Sequence, residues 1–200
     1  MTKKALKLLL SIQAKSTCIF IGIYALIMAI LFSVFSYVNM YPSYWMADSI
    51  IYTFNIYLLI MGIVYPLIAT RLYVSRGLTR KQFFWAYTGT MSIISLFLFV
   101  PILISIIYYD SFSILSAITD YLRMPLSFLI GWTCAVGFQM RKWYTSTLGI
   151  LSAIAMYFAL ITVTEVMILP EIAVLGSVLL LLVGVLLILP RFISKITFKV

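Results

Sequence analysis

Long apolar runs alternate with short polar segments along the whole chain. A helix needs about 20 apolar residues to cross a bilayer. Six runs come close to that length: residues 17–38, 49–70, 84–107, 121–139, 145–168 and 172–189. We therefore predict an all-α integral membrane protein with six transmembrane helices. They form one transmembrane domain over residues 17–190, followed by a short cytoplasmic tail at 191–200.

The segment ahead of the first apolar run carries polar residues at helical spacing. Lys4, Lys7, Ser11 and Lys15 share one side of a helix, while leucine and isoleucine fill the rest of its surface. Basic amphipathic helices of this kind lie on the anionic cytoplasmic surface of a membrane. We predict an interfacial helix over residues 1–16 that contacts membrane lipid. The alternative is that these lysines only flank the first span, as the positive-inside rule favours.

The charged residues are few and strongly sorted. Only 10% of the residues are charged and 64% are hydrophobic, whereas soluble domains are about a quarter charged. With six spans, thirteen of the 14 basic residues fall on the side of the two termini, and Arg123 and all 5 acids fall on the other. Cytoplasmic loops carry the excess of Lys and Arg, so we predict that both termini are cytoplasmic. The net charge of +9 is then explained without a nucleic-acid partner.

The chain offers little for catalysis. It contains no histidine, which is the commonest metal ligand and general base. It has no Gly-x-x-x-x-Gly-Lys-Ser/Thr loop to hold a nucleotide and no Cys, His and acid cluster at metal-ligand spacing. We therefore expect that the chain is not an enzyme and binds no cofactor or metal itself.

The basic segment at residues 71–84 is the longest polar interruption between two apolar runs. Gly77 can end one helix, and Thr79 can cap the next. Arg80-Lys81-Gln82 then open a short helix that leads into Phe83. A short cytoplasmic helix fixed to the second and third spans is a mechanical contact, and we expect it to touch another protein.

This segment resembles the first cytoplasmic loop of the ABC-2-type exporter permeases. In many small bacterial members that loop reads Gly, any residue, Ser or Thr, Arg, Lys or Arg, any residue and an aromatic. The matching positions here are Gly77, Thr79, Arg80, Lys81 and Phe83. The resemblance implies that these residues, together with Arg76, form the coupling helix that docks on an ATPase subunit.

The resemblance extends to six spans, inward termini and an amphipathic helix ahead of the first span. It implies the permease subunit of an ATP-driven exporter in a bacterial plasma membrane, whose partner ATPase subunits bind ATP and Mg²⁺. A second permease subunit, the same or homologous, completes the pair in that family, and small members often export antimicrobial or toxic peptides. This chain departs from the family pattern between the last two spans, because only residues 165–171 are available for an excursion that is often longer.

Three polar positions are candidates for a substrate pathway: Asn55, Arg123 and Glu165. Charged residues within membrane spans are costly and often functional. Arg123 also has a simpler interpretation, because its long side chain can reach outward and pair with Asp120 or Asp110.

Pairs of small residues four positions apart predict close helix packing. They occur at Ala25 and Ala29, at Gly131 and Ala135, and at Ala155 and Ala159. The pair in the first span also resembles that of the substrate-binding subunits of energy-coupling-factor vitamin transporters, which have a similar size and six spans. Such a subunit is one alternative function. The other is a non-transport immunity or assembly factor, in which the basic loop is only an inward anchor.

Overall fold

The computed structural model describes residues 2–37, 45–75, 77–108, 113–140, 142–166 and 169–195. Its elements are the helices α1 (Thr2–Tyr37), α2 (Trp45–Ser75), α3 (Arg80–Tyr108), α4 (Ile114–Gln139), α5 (Trp143–Ile161), which continues into a π-helical turn (Thr162–Val166), and α6 (Glu171–Lys195). Each of these 6 helices contains a stretch long and apolar enough to cross a membrane. The prediction of an all-α chain with six helices of transmembrane length is confirmed.

Helices that follow one another along the chain run in opposite directions. Tyr73 near the end of α2 stacks on Phe83 near the start of α3. α4 and α6 therefore run in the same direction, and the Ser113 hydroxyl ahead of α4 donates to Glu171 at the start of α6 (2.5 Å). One end of the bundle thus gathers basic residues, including Lys7, Arg80, Lys81, Lys142 and Arg191. That this basic end is the cytoplasmic one stays a prediction.

α1 differs from the predicted interfacial helix over residues 1–16. Residues Thr2–Tyr37 form one unbroken helix, and its stretch of transmembrane character begins at Lys7. Leu9 and Gln13 are fully buried, and their i, i+4 spacing places them on one face of α1. That face packs against the other helices, and no break separates the segment from the first span. That its opposite face contacts membrane lipid stays a prediction.

α4 occupies the centre of the bundle and contacts α2, α3, α5 and α6. Every residue from Met124 to Gln139 is buried except at two positions. Its tightest neighbour is α2, where Gly62 faces Gly131 with main chain against main chain. Near the basic end, the side-chain amide of Gln139 donates to the Pro66 carbonyl oxygen (2.8 Å). α2 and α4 are thus joined along much of their length.

The outer helices present apolar side chains outward. α1, α5 and α6 expose large hydrophobic residues such as Ile23, Leu148 and Leu180. Soluble monomers seldom expose so much continuous apolar surface. The arrangement therefore indicates a multi-pass membrane protein whose outer helices face lipid.

One of the three pairs of small residues packs inside the chain. Gly131 and Ala135 lie on the buried surface of α4, as the expectation of close helix packing requires. The pairs in α1 and α5 are exposed. In those two helices the small residues leave surfaces open to lipid or to another subunit.

Candidate functional site

α2 ends in a tight turn that two backbone hydrogen bonds close. The Leu78 N–H donates to the Tyr73 carbonyl oxygen (3.2 Å), and the Gly77 N–H donates to the Val74 carbonyl oxygen (3.1 Å). These two bonds are the Schellman motif of helix C-termini. Gly77 has φ +88°, a left-handed conformation that is costly for a residue with a Cβ. The prediction that Gly77 ends a helix is confirmed.

α3 begins with a reciprocal cap. The Gln82 N–H donates to the Thr79 hydroxyl oxygen (3.2 Å), and the Thr79 N–H donates to the Gln82 side-chain oxygen (3.1 Å). Such a capping box satisfies two backbone groups that a helix N-terminus otherwise leaves open. The prediction that Thr79 caps a helix is confirmed.

The predicted short coupling helix is not a separate element. Arg80, Lys81 and Gln82 form the first turn of α3, which continues unbroken to Tyr108. The physical reason is that no glycine or proline separates the basic residues from the apolar run that follows them. A displacement of this first turn is therefore a displacement of the whole transmembrane helix.

The side chains of the turn divide into an outer polar set and an inner aromatic set. Thr79 and Lys81 are exposed, and Arg80 is half-buried. Phe83, in contrast, is only 1% exposed, while the nearby Trp85 is 53% exposed. The structure therefore places Phe83 where it cannot contact a partner protein directly. Arg76 lies outside the described residues.

Phe83 is part of an aromatic cluster that joins three helices. Its ring stacks on Tyr73 of α2 (5.5 Å between centroids) and on Tyr87 of α3 (5.8 Å). It also meets Trp132 of α4 edge to face (5.9 Å). We call this group the aromatic cluster; its members are Tyr65, Tyr73, Phe83, Phe84, Tyr87, Phe128 and Trp132. Aromatic pairs in these orientations stabilise a core beyond their buried area.

Sequence analysis singled out Phe83 and missed the rest of the aromatic cluster. A signal was nevertheless present, because aromatic residues recur four positions apart in α3 at Phe83 and Tyr87 and in α4 at Phe128 and Trp132. Residues at that spacing lie on the same face of a helix. Two aromatic faces in neighbouring apolar helices favour a shared contact.

The three candidate pathway residues are only partly brought together. Asn55 is buried between α2 and α4, where the Ser127 hydroxyl lies 3.2 Å from its side-chain oxygen. The same hydroxyl lies 2.9 Å from the Arg123 carbonyl oxygen. Asn55 therefore contacts α4 one helical turn after Arg123. Glu165 belongs to the π-helical turn after α5, and its side chain lies outside the described part of the chain.

Arg123 forms an ion pair within α4, and its role in a substrate pathway stays a prediction. Its guanidinium lies 3.4 Å from the Asp120 carboxylate, one turn earlier on the same helix. The pairing with Asp120 that the sequence predicted is confirmed, while Asp110 lies outside the described residues. Both side chains of this pair are largely buried, with exposed fractions of 11% for Arg123 and 15% for Asp120. Neither Asn55 nor Arg123 forms an open polar channel with the neighbours described here.

Comparison of the chain with known protein families, with characterised proteins and with solved structures finds no match. The positions that carry the resemblance at the turn have separate structural roles. Gly77 is required by the left-handed turn, and Thr79 by the helix cap. Phe83 is required by the core. Lys81 is exposed at the outer side of the turn, and Arg80 is half-buried.

Proposed function

We propose that this chain is the transmembrane permease subunit of an ATP-driven exporter. The observation that carries the proposal is the construction of the turn between α2 and α3. Its backbone is fixed by four hydrogen bonds. Lys81 is exposed at its outer side, Arg80 is half-buried, and Phe83 anchors the turn in the core. A site built in this way suits the transfer of force better than the binding of a small molecule.

The proposed coupling path begins at the turn and ends at the central helix. An ATPase subunit that binds ATP and Mg²⁺ pushes on the turn as it closes. Because the turn is continuous with α3 and is bonded to the last turn of α2, both helices move with it. Because Phe83 contacts Trp132 of α4, the displacement also moves α4. A second permease subunit, identical or homologous, provides the other wall of the pathway.

Each residue of the turn has a separate role in this proposal. Arg80 and Lys81, with Arg76, supply positive charge to acidic groups on the ATPase. Gly77 and Thr79 give the turn its shape, and Phe83 passes the displacement on. Removing one partner of a buried charge pair at an interface costs about 2–5 kcal/mol, so charge reversal at the turn is expected to release the ATPase.

The cargo proposed from the family resemblance is an amphipathic, antimicrobial or toxic peptide. The location is the plasma membrane of a bacterium. Asn55 accepts a hydrogen bond from Ser127 and so joins α2 to α4, and in this proposal it contributes to the pathway by positioning these helices. The chain is proposed to be a transporter subunit without an ATPase site of its own, in keeping with the missing nucleotide-binding loop.

A second candidate function is supported by the open face of α1. Ala25 and Ala29 are exposed, and a Cβ added to Gly22 would meet no atom within 4 Å. A vitamin uptake subunit that docks on a membrane scaffold protein through small residues would present such a face. This candidate predicts that the purified chain retains a small-molecule ligand, which mass spectrometry of the extracted protein would reveal.

Photo-cross-linking in the host membrane tests the proposed function. A photoreactive amino acid at position 81 is expected to capture a protein that contains a nucleotide-binding loop. The matched control is position 7, because Lys7 is also exposed and lies at the same end of the bundle. Capture of a membrane scaffold protein, or of lipid alone, from position 81 would reject the exporter.

A further inference from the structure

A deep apolar groove separates α5 from α6, and α4 forms its floor. Its volume is about 450 Å³. Gly137 lies on the floor, Leu148 and Met156 line one wall, and Ile188 and Phe192 line the other. Leu148, Ile188 and Phe192 are exposed, so the groove opens sideways into the surrounding membrane. The turn between α2 and α3 contributes no residue to this groove, and the inference does not depend on the proposed function.

The length of the groove corresponds to one leaflet of a bilayer. On α5 it extends from Thr145 to Met156, which is about 16 Å at 1.5 Å per residue. The hydrocarbon core of a bilayer is about 30 Å thick, so one leaflet contributes about half of that. The groove begins at the start of α5 and reaches Phe192 near the end of α6, both at the basic end of the bundle. It therefore lies within the leaflet on that side.

Apolar side chains form most of the surface that lines the groove. An extended hydrocarbon chain suits such a groove, because it has a narrow cross-section and makes contact with apolar walls along its whole length.

Basic and aromatic side chains lie next to the residues that line the groove at the basic end of the bundle. Lys142 precedes α5 and Arg191 is one turn after Ile188, and both side chains are exposed. Trp143, at the first position of α5, is 81% exposed, and Trp and Tyr are enriched at the headgroup level. Lys142 lies over the Tyr144 ring at 5.6 Å. Hydrogen bonding and charge interaction with Tyr144 raise the pKa of Lys142.

From these observations we infer that the groove binds one acyl chain of an anionic phospholipid, whose phosphate is held between Lys142 and Arg191. Basic positions between transmembrane helices recognise anionic headgroups, and the apolar walls of the groove receive the chain. The bound lipid fills the space between α5 and α6. It thereby connects two outer helices that otherwise meet mainly through α4.

Native mass spectrometry with defined lipids tests this inference. The protein in detergent micelles is titrated with phosphatidylglycerol or with phosphatidylcholine of identical acyl chains. One bound phosphatidylglycerol is expected, with an affinity of the order of tenfold or more above that of phosphatidylcholine. In Lys142→Gln with Arg191→Gln, that preference is lost. The matched control, Lys7→Gln with Lys15→Gln, removes the same charge at two other exposed positions and keeps the preference.

A second pair of variants tests the acyl chain independently of the headgroup. Ser152 lines the groove and is exposed. Ser152→Phe therefore fills the groove and is expected to lower the affinity for both lipids. Leu151 is exposed on the same helix outside the groove, so Leu151→Phe is expected to change neither of the two affinities. Equal affinities for the two lipids, or a preference that survives loss of Lys142 and Arg191, would overturn the inference. So would disulfide-linked dimers formed efficiently through Leu148→Cys in liposomes, because the groove would then be an interface between copies.

Discussion

Gly62 of α2 and Gly131 of α4 pack main chain against main chain at the centre of the bundle. A Cβ built on Gly62 would overlap the carbonyl oxygen of Phe128, and one built on Gly131 would overlap that of Leu59. Neither obstacle is the end of a flexible side chain, so the two helices would have to separate. This contact sets how closely α2 and α4 approach, and with it the path by which a displacement of α2 reaches the central helix.

Substitution at this contact is therefore expected to destabilise the protein. Gly62→Ala or Gly131→Ala should cost about 1–3 kcal/mol, as overpacking of a close-packed core typically does. Thermal unfolding in detergent micelles measures the effect. Gly22→Ala is the matched control, because it adds the same methyl group to a helix where a Cβ would meet no neighbour. An equal melting temperature for Gly62→Ala and Gly22→Ala would contradict the packing described here.

The turn after α2 depends on the backbone freedom of one glycine. Gly77→Ala places a Cβ in a left-handed conformation, which should cost about 1–2 kcal/mol. Gly77→Asn should cost less, because asparagine enters that conformation more readily. The rate of amide hydrogen exchange at positions 77 and 78 and at their neighbours reports opening of the turn in each variant. Equal exchange rates in the alanine and asparagine variants would show that backbone strain at position 77 does not control opening of the turn.

Two aromatic residues near the start of α3 have different surroundings: one is buried in the aromatic cluster, and the other is exposed. Phe83→Ala removes a ring from the aromatic cluster and should lower the free energy of unfolding by about 3–5 kcal/mol. Trp85→Ala removes an even larger ring at an exposed position and should have a much smaller effect on stability. Thermal unfolding of both variants distinguishes the two roles. A stable Phe83→Ala protein that had lost its ATPase partner would show that Phe83 acts by direct contact instead.

Local rules were sufficient to predict the turn between α2 and α3 from sequence. Gly77 and Thr79 act through hydrogen bonds to residues only three to five positions away, so their roles can be read from a short stretch of chain. The six helices of transmembrane length were predictable for a similar reason. Apolar length within each run is enough to identify them.

Features that depend on contacts between distant residues could not be predicted. Lys7 and Lys15 suggested a surface helix, yet Leu9 and Gln13 on another face of the same segment are buried against the bundle. The orientation of Phe83 depends on Trp132, which is in a different helix. The contact of Gly62 with Gly131 joins helices separated by α3 in the chain. Hydropathy does not show which helix faces pack together, so these contacts could not be derived from the sequence.

The central claim, that the turn between α2 and α3 binds an ATPase, is tested most directly by native mass spectrometry of the complex extracted from its own host. Wild type is compared with Arg80→Glu combined with Lys81→Glu, and with the control Lys7→Glu combined with Lys15→Glu. All four side chains lie outside the buried core, so every variant should fold. The account predicts ATPase subunits bound to a permease pair in wild type and control, and their loss when the turn is charge-reversed. Recovery of the chain without ATPase in every preparation, or retention of ATPase by the turn variant, would contradict it.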